Sequence, residues 1–269
     1  MKLSEAVKIL TDAGIENARH DAKELFLYIG GMHKVSFISG DVVSDFAPLE
    51  QAIMRRAKRE PLQYILGITH FYRECYDVDE NCLIPRPDTE ILVDYAVNNI
   101  PEGKCFLDLC TGRGCVGIST LCNTESTVAL LVDISDGALE LARRNARVNG
   151  VEERAEIIKH DVLSGAVVSS CFAVLANPPY VKDSVYSTLE PEIFFEPKIA
   201  LVGGEDGGDF YRALTPLYRD VIEDEGFIAF EIGYDQADLL RRIAEDNKMT
   251  CEIIKDYSGN DRVAVLRRM

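Results

Sequence analysis

The sequence contains no apolar run that could cross a bilayer, because no stretch approaches the roughly 18 to 20 uninterrupted apolar residues that a membrane helix needs. The first residues, Met1 to Glu5, enter a polar-studded helical pattern and not a signal peptide. We therefore expect a cytoplasmic protein without membrane contacts. Of the 269 residues, 47% are apolar, which is enough for one sizeable core and a smaller second domain.

Paired cysteines are also missing: the eight cysteines include no C-x-x-C. Most stand among apolar residues, which favours reduced, buried thiols. Cys105, Cys110, Cys115 and Cys122 are regularly spaced, but a strand, a loop and a helix would carry them in different directions. We expect neither disulfides nor a metal site.

Basic residues are scarce, and the net charge is -16. Residues 1–70 are balanced, with nine basic and nine acidic side chains, so the whole excess of acid lies in residues 71–269. Because neutralisation of phosphates by Lys and Arg supplies most non-specific affinity for nucleic acid, an acidic body disfavours DNA as a partner.

The first 60 residues predict helices. Leu3, Ala6, Val7 and Leu10 follow a helical period that Gly14 ends, and a second pattern covers residues 17–30. A third helix is predicted from about Pro48 to before Pro61. Its late basic residues fit a solvated face better than a binding patch. They are Arg55, Arg56, Lys58 and Arg59.

Residues 71–90 predict a linker hairpin, with β-like segments around 75–78 and 82–84 and a stiff end at Pro85-Arg86-Pro87-Asp88. Strand and helix signals then alternate, which predicts a parallel sheet covered by helices on both faces. The predicted strands are 106–109, 128–133, 155–159, 172–176 and 226–232, followed by a hairpin of 250–254 and 262–266. The fold class is α/β and Rossmann-like, with domains at 1–70 and 91–269.

A glycine-rich loop follows the first strand of the predicted sheet. Gly112, Gly114 and Gly117 form G-x-G-x-x-G, and Asp133 ends the next strand. NAD, FAD and S-adenosylmethionine all fit this pattern. Asp108 at the end of the first strand would repel a pyrophosphate but attract an ammonium and a sulfonium, which favours S-adenosylmethionine. Asp133 would hold ribose hydroxyls, or else only cap the following helix.

Asn177-Pro178-Pro179-Tyr180 follows the apolar strand at 172–176. The carboxyl ends of such strands are where open α/β sheets bind ligands. Two prolines remove two backbone donors and hold Asn177 extended, which leaves rigid acceptors for an NH2 group. Tyr180 can stack on a planar amide. The loop predicts methylation of a planar nitrogen, either in an adenine or in a carboxamide.

Taken in order, several segments resemble the release factor glutamine N5-methyltransferase family, also called HemK or PrmC, over nearly the whole chain. They are Arg59 to Gly67, Leu83 to Glu90, the Asp108 loop, Asn177 to Tyr180, Glu196-Pro197, Gly203-Gly204, Asp206-Gly207 and Glu231-Ile232-Gly233. The resemblance implies methylation of the glutamine in the Gly-Gly-Gln motif of class 1 peptide release factors. It also implies that the helical N-terminal domain recognises this protein substrate.

Position by position, the resemblance implies the site residues. Those for S-adenosylmethionine, and so for its product S-adenosylhomocysteine, are Asp108, Leu109, Cys110, Thr111, Gly112, Asp133, Val162 and Asn177. Those for glutamine are Asn177, Pro178, Pro179 and Tyr180, of which Asn177, Pro178 and Tyr180 are the catalytic set. Asp161 would lie near the adenine. Phe71 and Tyr72 would either shape the wall of the site or pack within the linker.

Cys110 departs from the family pattern, in which a glycine is common there. We infer that this position does not need a positive φ. Two rival functions are an adenine-N6 nucleic-acid methyltransferase, which the acidic charge disfavours, and a non-catalytic adaptor, which the intact Asn177 loop disfavours.

Overall fold

The computed structural model describes residues 1–33, 37, 42–44 and 46–269. The chain divides into two compact units. Residues 1–68 and 190–195 form the first unit, and residues 69–189 and 196–269 form the second. Within the described residues, no helix combines the length and the apolar character that crossing a membrane requires.

The first unit is helical, as predicted. Its helices are α1 (Leu3–Asp12), α2 (Ala18–Tyr28), α3 (Ala47–Ala57) and α4 (Leu62–Leu66). Leu3, Ala6 and Leu10 are buried on one face of α1, which is the face that the sequence period marked. Gly14 takes a φ of 74° just after this helix, a conformation that glycine adopts without strain.

The prediction of a solvated basic face on α3 is wrong for Arg56, which is only 8% exposed. Its Nε lies 2.7 Å from Asp21 Oδ2, and its Nη1 lies 3.1 Å from Glu192 Oε1. Arg59 Nη2 lies 2.8 Å from the other oxygen of Glu192. Partially buried carboxylates need basic partners of this kind. The two carboxylates, Asp21 and Glu192, both belong to segments that are distant in sequence from α3. The pattern of α3 alone could not reveal them.

The second unit contains a seven-stranded sheet in the order β5-β4-β3-β6-β7-β9-β8. The first five strands in that order are parallel, and β9 runs antiparallel to both β7 and β8. The strands are β3 (Cys105–Leu109), β4 (Val128–Asp133), β5 (Ala155–Lys159), β6 (Cys171–Ala176), β7 (Ile222–Glu231), β8 (Met249–Lys255) and β9 (Asp261–Arg268). The predicted Rossmann-like sheet and its terminal hairpin are confirmed.

Helices cover the sheet on both faces. The α-helices of this unit are α5 (Glu90–Asn99), α6 (Cys115–Cys122), α7 (Asp136–Val148), α8 (Asp183–Tyr186), α9 (Asp209–Arg219) and α10 (Ala237–Asp246). All six residues of β6 are buried, and they are divided between two separate cores. Leu175 packs in the core that contains α5 and α6, whereas Val174 packs in the core that contains α9 and α10. Burial on both faces explains why β6 reads as a continuous apolar run.

The predicted linker hairpin lies earlier than expected. Its strands are β1 (Ile68–Phe71) and β2 (Glu74–Asp77), and residues 82–84 form no strand. Their backbone groups bind side chains instead. The N–H of Ile84 donates to Glu196 Oε2 at 2.9 Å, and the carbonyl of Leu83 accepts from Arg113 Nη2 at 2.7 Å. Partners far along the chain therefore replace the predicted strand pairing.

All eight cysteines lie within the described residues and none is in a disulfide, but only Cys82, Cys115 and Cys171 are buried. The other five are partly exposed. The reduced state of the thiols stays a prediction, whereas the prediction that most of them are buried is wrong. The partly exposed ones lie in loops and at the ends or edges of strands and helices, where apolar neighbours in the sequence do not imply a covered side chain.

We expect Asn145→Ala to lower the free energy of unfolding by about 2 kcal/mol or more. Asn145 is fully buried on α7, where its Oδ1 accepts from the N–H of Asp77 at 2.8 Å and its Nδ2 donates to the carbonyl of Arg113 at 3.0 Å. The substitution leaves both groups without these partners, at about 1 to 3 kcal/mol each. Denaturant unfolding monitored by circular dichroism measures the change.

The matched control is Asn98→Ala, which removes an exposed helical asparagine whose Nδ2 binds only the carbonyl of Asp94. We expect a change within about 0.5 kcal/mol. Equal losses in the two variants would show that the buried amide of Asn145 contributes nothing beyond its helix.

Candidate active site

A cavity of about 270 Å³ opens at the carboxyl edge of the parallel strands, entirely within the second unit. It lies where β3 and β6 are neighbours although two strands and two α-helices separate them in sequence, which is the switch point at which such sheets bind ligands. Most of the predicted site residues line it. They are Asp108, Cys110, Thr111, Gly112, Asp133, Val162, Asn177 and Pro179.

Three predicted residues do not line the cavity. Leu109 is fully buried in the core with α9 and α10, because alternate residues of β3 face opposite sides of the sheet. Pro178 is a buried residue of the Asn177 loop itself. The hydroxyl of Tyr180 donates to Glu231 Oε1 at 3.1 Å, and burial raises the pKa of Tyr180 above its usual value. Tyr180 is therefore anchored beside the cavity.

Asp108 fixes the glycine-rich loop by accepting two hydrogen bonds from it. Its Oδ2 accepts from the Thr111 hydroxyl and from the N–H of Gly117, the latter at 2.9 Å. A Cβ at position 117 would stand 2.9 Å from the same oxygen, so only glycine lets α6 approach the carboxylate this closely. Burial raises the pKa of Asp108 to about 7, while both hydrogen bonds oppose the rise. The carboxyl group can therefore change charge near neutral pH.

The inference that Cys110 needs no positive φ is wrong, because its φ is 56°. The loop turns sharply between β3 and α6, and the next N–H, that of Thr111, donates to the carbonyl of Val132 at 3.0 Å. A left-handed conformation costs a residue other than glycine roughly 1 to 2 kcal/mol. The surrounding contacts hold Cys110 in this conformation in spite of its cost. Burial raises the pKa of the Cys110 thiol, so this side chain is neutral.

Asp133 connects the loop to the next helix. Its Oδ2 accepts from the N–H of Gly112 at 2.8 Å, and its Oδ1 accepts from the N–H of Ser135 at 2.9 Å. The Ser135 hydroxyl caps α7 by accepting from Ala138. The alternative interpretation of Asp133 as part of a helix cap thus matches its hydrogen bond to Ser135, the residue that caps α7. Its carboxylate also lines the cavity, so both roles are compatible.

The Asn177 loop is held from several sides. Asn177 Nδ2 donates to Thr89 Oγ1 at 3.3 Å, and Gln236 Nε2 donates to the carbonyl of Tyr180 at 3.2 Å. A Cβ at Gly203 would stand 2.3 Å from the carbonyl oxygen of Pro179, and one at Gly207 would stand 2.1 Å from that of Tyr180. The glycines of the later signatures therefore let a second backbone pack directly against the loop.

Residues 81–89 were predicted to belong to a linker, but they form one wall of the cavity. Its lining members are Asn81, Cys82, Leu83, Pro85 and Thr89. Arg113, only 2% exposed, donates from Nη2 to the carbonyls of Cys82 and Leu83 and so fixes this wall to the loop. The feature of the sequence that could have indicated this wall is Arg113, a basic residue inside the glycine-rich loop.

The polar residues of the segment from Arg86 to Glu90 each contact a different element. Arg86 pairs with the buried carboxylate of Glu196, and Asp88 lies 3.0 Å from Arg262 Nη2 on β9. Glu90 accepts from the N–H of Tyr72 at 2.9 Å. The charged residues of this segment, one basic and two acidic, thus each connect it to a different part of the chain.

Phe71 and Tyr72 pack within the linker hairpin. Phe71 is 2% exposed and meets Tyr76 edge-on, with 6.1 Å between ring centroids. The Tyr72 hydroxyl donates to Asp94 at 2.7 Å. Neither residue lines the cavity, whereas Asp161 does. Further lining residues, for which the sequence predicted no role, follow β4 and β5, precede α9 or lie in its first turn. They are Ile134, Ser135, His160, Leu163, Pro197, Ile199, Ala200 and Phe210.

Comparison with solved structures identifies the fold. The catalytic domain of hMettl16 matches with a TM-score of 0.59 and 13% identity, covering 90% of this chain and 92% of that one. The ribosomal protein L11 methylase from Lactobacillus delbrueckii subsp. bulgaricus matches with a TM-score of 0.50 and 18% identity, covering 68% of this chain and 80% of that one. At these identities the similarity concerns the fold alone.

Sequence comparison identifies the family. Residues 2–67 match the PrmC N-terminal domain, and residues 87–205 match the Methyltransferase small domain. A release factor glutamine methyltransferase of Caulobacter vibrioides is 34% identical, over 95% of this chain and 91% of its own. One of Thermodesulfovibrio yellowstonii is 33% identical, over 100% and 99%. The chain therefore belongs to the release factor glutamine methyltransferase family.

Proposed function

We propose that this protein transfers a methyl group from S-adenosylmethionine to the side-chain amide nitrogen, N5, of the glutamine in the Gly-Gly-Gln motif of class 1 peptide release factors. The observation that carries the proposal is that one cavity contains both Asn177, at the carboxyl end of β6, and two carboxylates, at the ends of β3 and β4. The relatives named for this reaction cover nearly the whole chain. The helical first unit is proposed to recognise the protein substrate.

The charges of the cavity support a cationic methyl donor. Asp108 and Asp133 both line it, and Asp133 already accepts two backbone N–H groups. A pyrophosphate would be repelled by these carboxylates, whereas an ammonium and a sulfonium would be attracted. Asp108 is proposed to act on the cationic groups, and Asp133 on the ribose hydroxyls. Cys110, Thr111, Gly112 and Val162 are proposed to shape the remainder of the pocket.

Asn177 supplies an acceptor for the glutamine amide. Because its Nδ2 donates to Thr89, its Oδ1 is the side-chain atom that remains for a substrate N–H. Pro178 has no N–H, so only its carbonyl oxygen is available as a second acceptor. Two acceptors on one nitrogen fix the direction of its lone pair, which is otherwise delocalised into the amide. Tyr180 is proposed to border the amide plane.

The donor supplies an activated methyl group with a neutral thioether as its leaving group. In the proposed reaction the glutamine nitrogen would form a bond to the methyl carbon while the carbon–sulfur bond breaks with its electron pair passing to sulfur, and the nitrogen would then lose one proton to solvent water. What the protein contributes is alignment. Orientation of two reactants can lower a barrier by about 7 to 11 kcal/mol, so the site needs no strong base to initiate transfer.

The first prediction concerns the acceptor. Incubation with labelled methyl donor should label a release factor carrying Gly-Gly-Gln, and replacement of that glutamine by alanine should abolish the label. Duplex DNA and hairpin RNA serve as competing acceptors, since an adenine amine poses the same chemical problem. Label on the alanine form, or on nucleic acid alone, would contradict the proposal.

The second prediction concerns Asn177. Asn177→Ala removes one of the two acceptors for the substrate amide, so we expect kcat to fall by about 100-fold or more, with a much smaller effect on donor affinity. Steady-state kinetics and calorimetric titration of the donor separate the two effects. Asn98→Ala, in which an exposed asparagine far from the cavity is lost, is the control and should retain wild-type kinetics. Equal turnover of the two variants would remove Asn177 from the reaction.

The third prediction concerns pH. Burial raises the pKa of Asp108 to about 7, so below that pH the free carboxyl group is neutral and must lose a proton to attract a cation. We therefore expect donor affinity to rise with pH, by up to about tenfold per unit below pH 7, and to level off above it. In Asp108→Asn this component of the slope should vanish, whatever slope other groups contribute. Identical pH profiles for the two proteins would exclude Asp108 as the responsive group.

A further inference from the structure

Gln236 is a buried side chain behind the Asn177 loop, and the reaction described above gives it no role. It stands immediately before α10 and is 3% exposed. Its Nε2 donates to the carbonyl of Tyr180 at 3.2 Å and to that of Gly207 at 3.3 Å, and its Oε1 accepts from the N–H of Gly233 at 2.8 Å. One carboxamide therefore joins the Asn177 loop, the loop before α9 and the turn after β7.

The orientation of this carboxamide is fixed by its backbone partners. A backbone N–H can only donate and a carbonyl oxygen can only accept, so Oε1 must face Gly233 and the NH2 must face the two carbonyls. Both hydrogens of the NH2 are then used, because each one reaches a different carbonyl. The Tyr211 hydroxyl on α9 lies 3.2 Å from Oε1 and supplies a further donor. A buried amide with all of these partners is held rigidly, since breaking any one bond leaves a polar group unsatisfied.

The Asn177 loop needs an anchor of this kind because two of its residues are prolines. A proline has no N–H, so the loop lacks two of the donors with which a turn can fix its own backbone. The carbonyls that follow the prolines are instead held from outside. That of Tyr180 accepts from Gln236, and that of Val181 accepts from the N–H of Gly203 at 2.9 Å. Partners in other segments thus determine the direction of the backbone at the end of the loop.

Glycine at position 207 makes the contact between Gln236 and the loop possible. A Cβ there would stand 2.1 Å from the carbonyl oxygen of Tyr180 and 2.6 Å from Gln236 Nε2, distances that real Cβ atoms do not reach. The φ of Gly207 is 76°, a left-handed value that favours glycine. Any side chain at this position would force apart the two atoms of the hydrogen bond, without altering either residue that makes it.

We propose that Gln236 is a positioning residue for methyl transfer, which holds the Tyr180 carbonyl and so keeps the Asn177 loop in the conformation that presents its acceptors to the substrate amide. The inference rests on the proposed function, because only that function gives the loop a substrate NH2 to hold. Gln236 does not line the cavity, so its influence passes through the backbone of the loop. Thr89 holds the first residue of the loop and Gln236 holds the last, which leaves the two prolines between fixed points.

Turnover of a release factor measures the effect. Gln236→Glu keeps the size of the side chain but replaces both N–H donors by a carboxyl group, which repels the Tyr180 carbonyl when it is ionised. We expect kcat to fall by about 10- to 100-fold, as for a displaced reacting group, while the Kd of the methyl donor and the KM of the release factor change by less than about threefold.

Tyr211→Phe is the matched control for this substitution. It removes a buried hydrogen bond to the same glutamine but leaves both bonds from Gln236 Nε2 to the carbonyls. Its kcat should match that of the wild type, although both variants are expected to lose stability because each leaves a buried polar group without its partner.

Gly207→Ala gives a second test, which leaves Gln236 itself unchanged. The new Cβ would displace the Tyr180 carbonyl, so we expect the same loss of kcat. Gly103→Ala is its control, because Gly103 has a φ of 77° and no atom of the described residues lies within 4 Å of the position of its Cβ. The two substitutions therefore impose similar backbone strain, and only the first disturbs the loop. If Gln236→Glu does not fold, this pair decides the question.

The state of the loop can also be observed without a substrate. In protein labelled with ¹⁵N at asparagine side chains, Asn177→Asp identifies the Asn177 signal by its loss. We expect this signal to shift in Gln236→Glu and in Gly207→Ala. It should keep its wild-type position in Tyr211→Phe and in Gly103→Ala. A role of Gln236 in stability alone would lower the midpoint of unfolding without moving the Asn177 signal.

The outcomes separate the two proposals. A wild-type protein that labels no release factor would overturn the proposed function, whereas the Asn177 signal would still report whether Gln236 holds the loop. An unchanged Asn177 signal or an unchanged kcat in Gln236→Glu would overturn the positioning role, even if glutamine is methylated. Equal losses of kcat in Gln236→Glu and Tyr211→Phe, or in Gly207→Ala and Gly103→Ala, would also overturn it, because the effect would then reflect general destabilisation.

Discussion

The hydrogen bond from Asn177 to Thr89 joins residues that are 88 positions apart, and the geometry of the cavity depends on it. The loop that carries Asn177 contains two prolines and follows a strand buried on both faces, so it has few means to hold its own side chains. Its direction is set from outside, by Thr89 on one side and by Gln236 on the other. The two contacts span 88 and 56 residues of sequence, so neither is local to the loop.

Other polar groups at this edge of the sheet are also held by partners that are distant in sequence. The buried guanidinium of Arg113 donates to backbone carbonyls, and the buried carboxylate of Glu196 accepts from Arg86 and from the N–H of Ile84. Each of these charges would be costly alone and is instead satisfied across a gap in sequence. The result is a cavity wall made of irregular backbone that is nevertheless fixed. An irregular wall can follow the shape of a ligand in a way that a strand cannot.

The sequence predicted the regular parts of the molecule well, because periodicity and turn residues are local signals. The bounds of β4 and β5 were predicted to the residue, and those of β6 within one residue. Predictions failed where a distant partner decides the outcome. Residues 82–84 look like a strand, but Glu196, 112 residues beyond Ile84, takes up the N–H that a strand would pair. Arg56 looks exposed until Asp21 and Glu192 are placed beside it. Leu109 shared a motif with its neighbours, although the alternation of β3 turns it into the core.

Cys110 shows how the strain of the loop and the chemistry of the site are connected. Its left-handed backbone persists because two carboxylates hold the loop by hydrogen bonds on either side of it. Asp108 accepts from Thr111 and Gly117, and Asp133 accepts from Gly112. A loop held by two carboxylates keeps its shape before any ligand arrives, and so does an asparagine held by a buried threonine. Fixed groups need no reorganisation during reaction. For a nucleophile as weak as an amide nitrogen, whose approach must be in line, such rigidity is the contribution that a protein without a strong base can make.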